Sequence, residues 1–532
     1  MNESPSVLII GAGPTGLMMA CQLAFHGISL RIIDKKPERT QTSNAAVLHT
    51  RTLELLDHMG IADRFIKLGV RAKGFRIHGA DGQVLAEIPL ERVDSRYLFS
   101  LFLSQSETER ILNEYLEQLR GRVERSLELI DLRQEDHKVI ATIKHEDGKV
   151  ETIESNWLIG CDGYHSTVRE KCGIPLSGED LPEEYVVGNF QLESQLSQDK
   201  GDGFLGKSQV LACFPLGGNT YRVVANLETT PTNVSEEEVK QIVLNRSKGM
   251  FKVISVSYLS PFWIHSKMAE RMRQGPVFIA GDAAHVHSPA GGQGMNTGMQ
   301  DAYNLAWKLA LVIKGQADPS LLESYQAERY PVIKDIVNRT EKLTKAGLTK
   351  NALWYYLRDF FIKNLLGRCD FLQKKAANFF TQLSIRYKQS PIIDYQTVWK
   401  LGAPQPGDRA PDILIESSFQ RLYDYLRDSQ HHLLLFTGKV IQDTELMQIQ
   451  QILKEIQQNY SKTVNCFVVS PKEIPVLTNV LVDRDFSLHT RYGFDRAGLC
   501  LIRPDLYIAL IGKLNKKKLR ALLNRYIKPN KG

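Results

Sequence analysis

VLIIGAGPTGLMMACQLAFHGISLRIID, residues 7–34, is the stretch on which the fold turns. Residues 6–10 read as a buried strand, GAGPTG as a tight turn, 15–26 as a helix closed by Gly27, and 29–33 as a second buried strand ending on Asp34. This is a βαβ opening with G-x-G-x-x-G spacing in its required context, a strand before it and a helix after it. Residues 7–30 contain no Lys, Arg, Asp or Glu and are long enough to span a bilayer, but Gly11, Gly13, Pro14 and Gly16 break the run after one strand's length. The preceding MNESPS has no basic residue, so it is not the start of a signal peptide. In this reading Gly11 makes the turn, Gly13 lets the backbone approach a pyrophosphate, and Gly16 lets the helix pack on the strand. Pro14 sits in the same turn, and the helix N-terminus favours the anion. Asp34, eighteen residues past Gly16, would accept from ribose hydroxyls and repel a 2′-phosphate, which points to FAD or NAD rather than NADP.

A second match to the spacing, GDGFLG at 201–206, has neither a buried strand before it nor a helix after it, and is expected to be a flexible loop. Five hundred and thirty-two residues predict two to four domains of roughly 150 residues each. With 43% hydrophobic and 24% charged residues, disorder is excluded as the main state. The net charge of +7 comes from the last twenty residues, which carry eight basic and no acidic side chains; without them the chain is at −1. No interior stretch interleaves basic and aromatic residues far enough to track a phosphate backbone, so nucleic acid is not an expected partner. Seven dispersed cysteines without a CxxC or paired His predict neither a disulfide framework nor a zinc site, hence no metal and a reducing, cytoplasmic setting.

Further along, residues 70–90 predict a hairpin split at Asp81-Gly82, 106–119 an amphipathic helix, and the stretch up to Ile159 a β meander with a turn at Asp147-Gly148. Short alternating runs between 185 and 260 predict an antiparallel sheet. PVFIA at 276–280 returns the chain to a buried strand, followed by a Gly-rich loop and a long helix that ends at Lys314-Gly315. Residues 340–390 read as helical, and LGAPQPGDRAPD, 401–412, as a linker. The expected fold class is α/β: a Rossmann-like FAD-binding domain (1–70, 98–182 and 276–395, with a helical extension) interrupted by an antiparallel-sheet substrate domain (71–97 and 183–275), then a C-terminal α/β domain (400–532).

GCDGYHSTVRE at 160–170 and AGDAAHVHSPAGGQGMN at 280–296 both follow apolar strand runs, so each places an acid at the carboxyl end of a sheet strand, where ligands of open α/β sheets bind. Together with G-x-G-x-x-G, this set resembles the flavoprotein aromatic hydroxylases, the single-component FAD monooxygenases acting on phenol, pentachlorophenol and polyketides, over nearly the whole chain. The resemblance implies that Gly281 and Asp282 meet the FAD ribityl chain and that Asp162, Gly163 and Arg169 share FAD and nicotinamide binding. It also implies that Arg51, in HTRTLELLDHMG, contacts the flavin and that Gln105, in LSQSETERIL, lies on the FAD. The loop 289–296 offers successive N–H groups at a helix start, a positive end of ~0.5 charge. The family places it near the flavin N1 and O2, so Gly291, Gly292, Gly294, Met295 and Asn296 are expected cofactor residues, with Arg51, Pro289 and Gly292 positioning the flavin. His285 and His287, lacking a carboxylate or Cys partner in sequence, are read as structural.

The implied chemistry is reduction of non-covalent FAD by NAD(P)H, formation of a C4a-hydroperoxyflavin with O2, and transfer of one oxygen to an electron-rich aromatic small molecule. The alternatives are an FAD reductase or dehydrogenase on the same fold and a flavin-binding scaffold. PGDRAPD and LIRPDLYIAL resemble the thioredoxin-like domain appended to many of these hydroxylases, but CxxC is absent, and Cys466 and Cys500 are read as core residues. The basic tail reads as a last packed helix, with no integral membrane span. The apolar faces of residues 354–361 and 379–387 admit contact with a membrane surface, but are expected rather to cover the substrate domain or a partner subunit, as in a homodimer. Tyr221, Trp263 and His265 are candidate pocket residues.

Overall fold

A computed structural model of the chain describes residues 5–39, 45–135, 138–227, 234–394 and 399–530. Most of the MNESPS flank, the boundary residue Tyr395 and Lys531 of the basic tail lie outside the described residues. Val7–Ile10 is a strand with all four side chains buried, Pro14–Phe25 a helix, and Leu30–Asp34 a second strand parallel to the first. Gly11 has a φ of +98°, and a Cβ there would collide with the Cys161 carbonyl; one at Gly16 would collide with the Gly11 carbonyl. Close packing, not only turn geometry, therefore requires glycine at both positions.

The sheet built on this unit has six strands, in the order Arg273–Gln274, Val277–Ile279, Trp157–Gly160, Val7–Ile10, Leu30–Asp34 and Val123–Arg125. All pair in parallel except the first, which is antiparallel to Val277–Ile279. Sequentially distant strands thus end along one edge, which brings Gly11, Asp34, Asp162 and Asp282 to the same side.

Facing that edge is an eight-stranded sheet ordered His285–Val286, Phe251–Ala269, Leu176–Ser194, Thr220–Asn226, Val210–Gly217, Lys200–Leu205, Gly74–His78 and Val84–Pro89. Its described pairs are antiparallel except Lys200–Leu205 with Gly74–His78, which run parallel and so correct the all-antiparallel expectation. The hairpin 74–89 joins from a distant part of the chain, so no tight turn dictates its direction. The same strand corrects the flexible-loop reading of GDGFLG: it is interior and paired on both sides. Buried Asp202 accepts from Arg76 Nε at 2.7 Å and pairs with His78 Nε2 at 2.8 Å. A charged Asp among glycines hides a strand from sequence patterning when its partners come from elsewhere.

Gly294–Ile313 is a long, nearly fully buried helix packed against Pro14–Phe25. The C-terminal region is a five-stranded sheet ordered Val480–Val482, Val464–Ser470, His431–Gly438, Arg496–Ile502 and Ile508–Lys513, parallel across the first three and antiparallel thereafter. Lys516–Leu523 packs Leu519, Leu522 and Leu523 inward. The stretch 401–412 is not a free linker. Gly407 N donates to Ile508 O at 2.8 Å, Ala410 N to Leu506 O at 2.9 Å, and Arg409 Nη1 to Glu54 at 3.0 Å. Its Pro and Gly content breaks regular structure without freeing it from tertiary contacts.

Candidate active site

Between the six-stranded edge and the eight-stranded sheet lies a cleft of about 590 Å³. Its first wall carries Gly11, Gly13, Pro14, Asp34, Gln105, Asp162, Gly163 and Asp282, then Pro289, Gly292, Gly294 and Met295. Its second wall is largely apolar and aromatic, with Val187, Phe214, Val224 and Phe262, and carries one buried cation, Arg222.

Of the helices that start at the first wall, Gln105–Gln118 and Thr167–Lys171 are capped by Ser104 and Ser166, whereas Pro14–Phe25 and Gly294–Ile313 have no side-chain cap. Their leading N–H groups and dipoles give the cleft two anion-favouring ends. A Cβ on Gly13 would meet nothing within 4 Å, so the backbone is open to the cleft at that point. Asp34 accepts from Ala12 N at 2.7 Å and Lys36 N at 2.8 Å, which fixes its carboxylate at the turn. A pyrophosphate-and-ribose cofactor fits this set: uncapped amides, an open glycine and an anchored acid.

Asp162 accepts from Ser166 Oγ at 2.5 Å and Val168 N at 3.1 Å, so it also ties down the short helix Thr167–Lys171. Burial raises its pKa above the ordinary carboxylate range, opposed by those hydrogen bonds. Asp282 is exposed at the cleft. Gln105 lines the cleft and donates to Glu109 at 2.9 Å.

Six expected site residues stand behind the wall rather than on it. Arg51 is corrected most strongly: its guanidinium donates to Glu54 at 2.9 Å and Asp505 O at 2.8 Å and lies over the Tyr507 ring, facing the C-terminal domain. Arg169 donates to Tyr164 O at 2.9 Å and Ala283 O at 3.1 Å, so it ties the two acid-bearing loops to each other. Asn296 accepts from His49 N at 2.8 Å and donates to Val47 O at 2.8 Å, pinning the second helix start. Gly16, Gly281 and Gly291 admit close neighbours, respectively the Gly11 backbone, Thr15 and Phe380. Each is a packing position, because the chain's contacts with itself already fill the space on its side-chain face.

The reading of His285 as lacking a carboxylate partner is also corrected. Its Nε2 lies 2.7 Å from Asp301, sixteen residues on, which accepts from Arg329 Nε at 2.7 Å and Gly281 N at 3.2 Å. Burial opposes ionisation of Asp301, but Arg329 and His285 outweigh it and hold the carboxyl below its ordinary range. His287 pairs through Nδ1 with Ser288 O at 2.9 Å, and its buried Nε2 has no partner among the described residues. Burial, then the nearby His285, lowers its pKa to about 4, so the ring is neutral.

Trp263 and His265 line the cleft, but Tyr221 does not; it packs against Phe251 with ring centroids 5.3 Å apart. Strand alternation explains this, since Tyr221 and Val223 face the core while Arg222 and Val224 face the cleft. Arg222 was missed, although a lone arginine inside the apolar run YRVVAN was the available signal. Burial lowers its pKa to about 10, which leaves it charged at neutral pH, and its Nε donates to Asn189 at 2.9 Å.

Comparison with known proteins agrees with this geometry. The family described as "FAD binding domain" matches residues 4–340. Pentachlorophenol 4-monooxygenase of Sphingobium chlorophenolicum is 33% identical over 529 residues, covering 95% of this chain and 94% of that protein. 6-Methylpretetramide 4-monooxygenase of Streptomyces rimosus is 33% identical over 524 residues, covering 96% and 91%. Among solved structures, anhydrotetracycline hydroxylase from Streptomyces rimosus superposes with a TM-score of 0.78 at 27% identity, over 99% of this chain and 100% of that one. Aklavinone-11 hydroxylase, solved with FAD and aklavinone, shares the fold at a TM-score of 0.77 and 22% identity, over 99% of each chain. With this family match and relatives covered over more than nine-tenths of their length, the chain belongs to the FAD-binding aromatic and polyketide monooxygenases and is a flavin-dependent monooxygenase.

Proposed function

We propose that the protein hydroxylates a phenolic or polyketide-like aromatic compound, using NAD(P)H and one atom of O2. The observation that carries this reading is the pairing of walls: anion-favouring helix starts with an anchored acid on one side, and an aromatic surface with one buried cation on the other. FAD, when bound, supplies hydride acceptance and dioxygen activation for the net reaction ArH + O2 + NAD(P)H + H⁺ → ArOH + NAD(P)⁺ + H2O.

The protein's own residues bind, orient and exclude water. Gly11, Gly13 and the first helix start receive the pyrophosphate, and Asp34 the ribose hydroxyls. Gly292, Gly294 and the second helix start favour negative charge on whatever ring lies there, with Pro289 shaping the approach. Arg222 would pair with an anionic or strongly polarised oxygen of the substrate. Phe214, Phe262 and the sheet behind them keep water from the reacting ring. For the C-terminal domain we keep the reading of a thioredoxin-like fold without redox function. Its mixed five-stranded sheet favours that reading, and burial raises the thiol pKa of Cys466 to about 12 and that of Cys500 well above the ordinary value.

The test loads purified protein with FAD and supplies NADH or NADPH with pentachlorophenol, 6-methylpretetramide and a panel of simpler phenols under labelled O2. Substrate-stimulated NAD(P)H oxidation with one labelled oxygen in the product is expected. Oxidation that yields hydrogen peroxide alone across the panel would favour the reductase reading.

A further inference from the structure

Helix Ala352–Phe361, the π-turn Ile362–Leu366 and helix Asp370–Phe380 form an arm laid over the outer hairpin of the eight-stranded sheet. Its inner side is anchored: Arg358 Nη1 donates to Gly347 O at 3.0 Å and Gly206 O at 3.3 Å, and Ala377 is fully buried. Its inner side thus lies on the substrate sheet as expected of residues 354–361, while its outer side stays uncovered. Trp354 is 63% exposed, Tyr356 70% and Phe371 73%, with Leu353, Phe360, Phe361 and Leu365 also exposed. Leu353, Tyr356 and Phe360 share one helix stripe, and Trp354 and Phe361 the next. Residues 379–387 behave differently, since Phe380 packs on Phe75 at 5.5 Å between ring centroids and Tyr387 is buried.

The arm's own exposed, unpaired charges have one sign, and beyond the arm Asp81 of the outer hairpin is the acid that bears on Tyr355. Lys350, Lys363, Arg368, Lys374 and Lys375 are exposed and make no ion pair among the described residues. The two acids of the arm are already neutralised, Asp359 by Arg358 at 2.8 Å and Asp370 by Arg92 at 2.7 Å. We propose that this arm seats the protein on an anionic lipid surface, with Trp354, Tyr356, Phe360 and Phe361 entering the headgroup boundary and the five cations meeting anionic headgroups.

Aromatic residues flanked by lysine and arginine match the chemistry of that boundary, where amphipathic rings and basic side chains are both favoured. A second copy of the chain is disfavoured, because a two-fold contact would place this basic patch against itself. The arm also reaches the cleft. Its last helix ends at Phe380, which packs against the Gly291 loop of the first wall, so a lipid seat would bring a reservoir of apolar aromatic compounds beside the site.

The test uses the full FAD-loaded chain, sedimented with phosphatidylcholine vesicles and with phosphatidylcholine–phosphatidylglycerol vesicles. Binding at least about tenfold tighter to the anionic vesicles is expected, falling as salt is raised. A Lys363→Glu, Lys374→Glu, Lys375→Glu variant should lose that preference. Trp354→Phe should remove a blue shift of tryptophan emission seen on binding. Bound FAD serves as the control for folding. Absence of binding to anionic vesicles would overturn the proposal, as would binding unchanged in the charge variant. A dimer in solution that shields Trp354 would assign the arm to a second copy instead.

Discussion

The cleft and the junction with the C-terminal domain are both rich in buried polar groups, yet they use them in opposite ways. At the junction, Glu328 receives Arg503 through both oxygens at 2.5 and 2.8 Å, Lys308 at 2.7 Å and Ser390 at 2.5 Å. Asp505 receives the same arginine at 2.9 Å, and Glu54 receives Arg51 and Arg409 at 2.9 and 3.0 Å. Residues hundreds of positions apart are locked together, and burial of Glu328 is outweighed by Arg503 and Lys308, which hold its carboxyl below the ordinary range. At the cleft, the starts of Pro14–Phe25 and Gly294–Ile313 are uncapped and His287 Nε2 is unpartnered among the described residues. A closed network holds two domains in register, whereas an open one leaves its hydrogen bonds for a ligand.

The largest effect is expected where the closed network is opened. Glu328→Ala leaves Arg503 and Lys308 buried without their carboxylate and should cost about 3–5 kcal/mol of stability in denaturant unfolding. A loss below about 1 kcal/mol would erase the contrast between the two regions.

Acid sharpens it next. Burial, then charge repulsion from neighbouring groups, lowers the pKa of His58 to about 4 and that of His431 to about 3, against an ordinary 6.5. A depressed folded value means that the unfolded chain takes up protons first as pH falls. The stability contribution is therefore complete above 6.5 and lost progressively towards the folded values. Between pH 7 and 5 the loss should be on the order of 1–2 kcal/mol per histidine, read from urea midpoints. His58→Gln should flatten the slope.

At the cleft, Gly13→Ala adds a methyl into open space that the cofactor needs, and should weaken FAD binding roughly tenfold, about 1.4 kcal/mol, with little change in unfolding. Flavin fluorescence titration reads the first quantity and denaturation the second. Equal affinity would mean that the pyrophosphate does not approach here.

The smallest effect belongs to the second glycine motif. Gly203→Ala would place its Cβ 3.8 Å from the Arg76 carbonyl, an ordinary contact in a strand, so FAD affinity should stay near wild type and stability within about 1 kcal/mol. A Cys466→Ala, Cys500→Ala variant should likewise keep its turnover, and its loss in a folded protein would give the C-terminal thiols a redox role.

The βαβ opening and the acid-ended strands at Asp34, Asp162 and Asp282 are legible in the residues alone, because glycine sterics, strand-length apolar runs and turn chemistry act over a few residues. Tertiary structure alone decided which side chains reach the cleft. Tyr221 and Arg222 are adjacent, and only sheet register turns the arginine inward. Arg51 belongs to a cofactor-like motif, yet Glu54, Asp505 and Tyr507 draw it to the other side of its helix. Asp301 reaches His285 across a turn and a helix, and Leu353, Trp354, Tyr356, Phe360 and Phe361 stay exposed because nothing in the described chain folds over them. Apart from the neighbouring Glu54, these outcomes depend on partners from sixteen to hundreds of residues away, which no local pattern encodes.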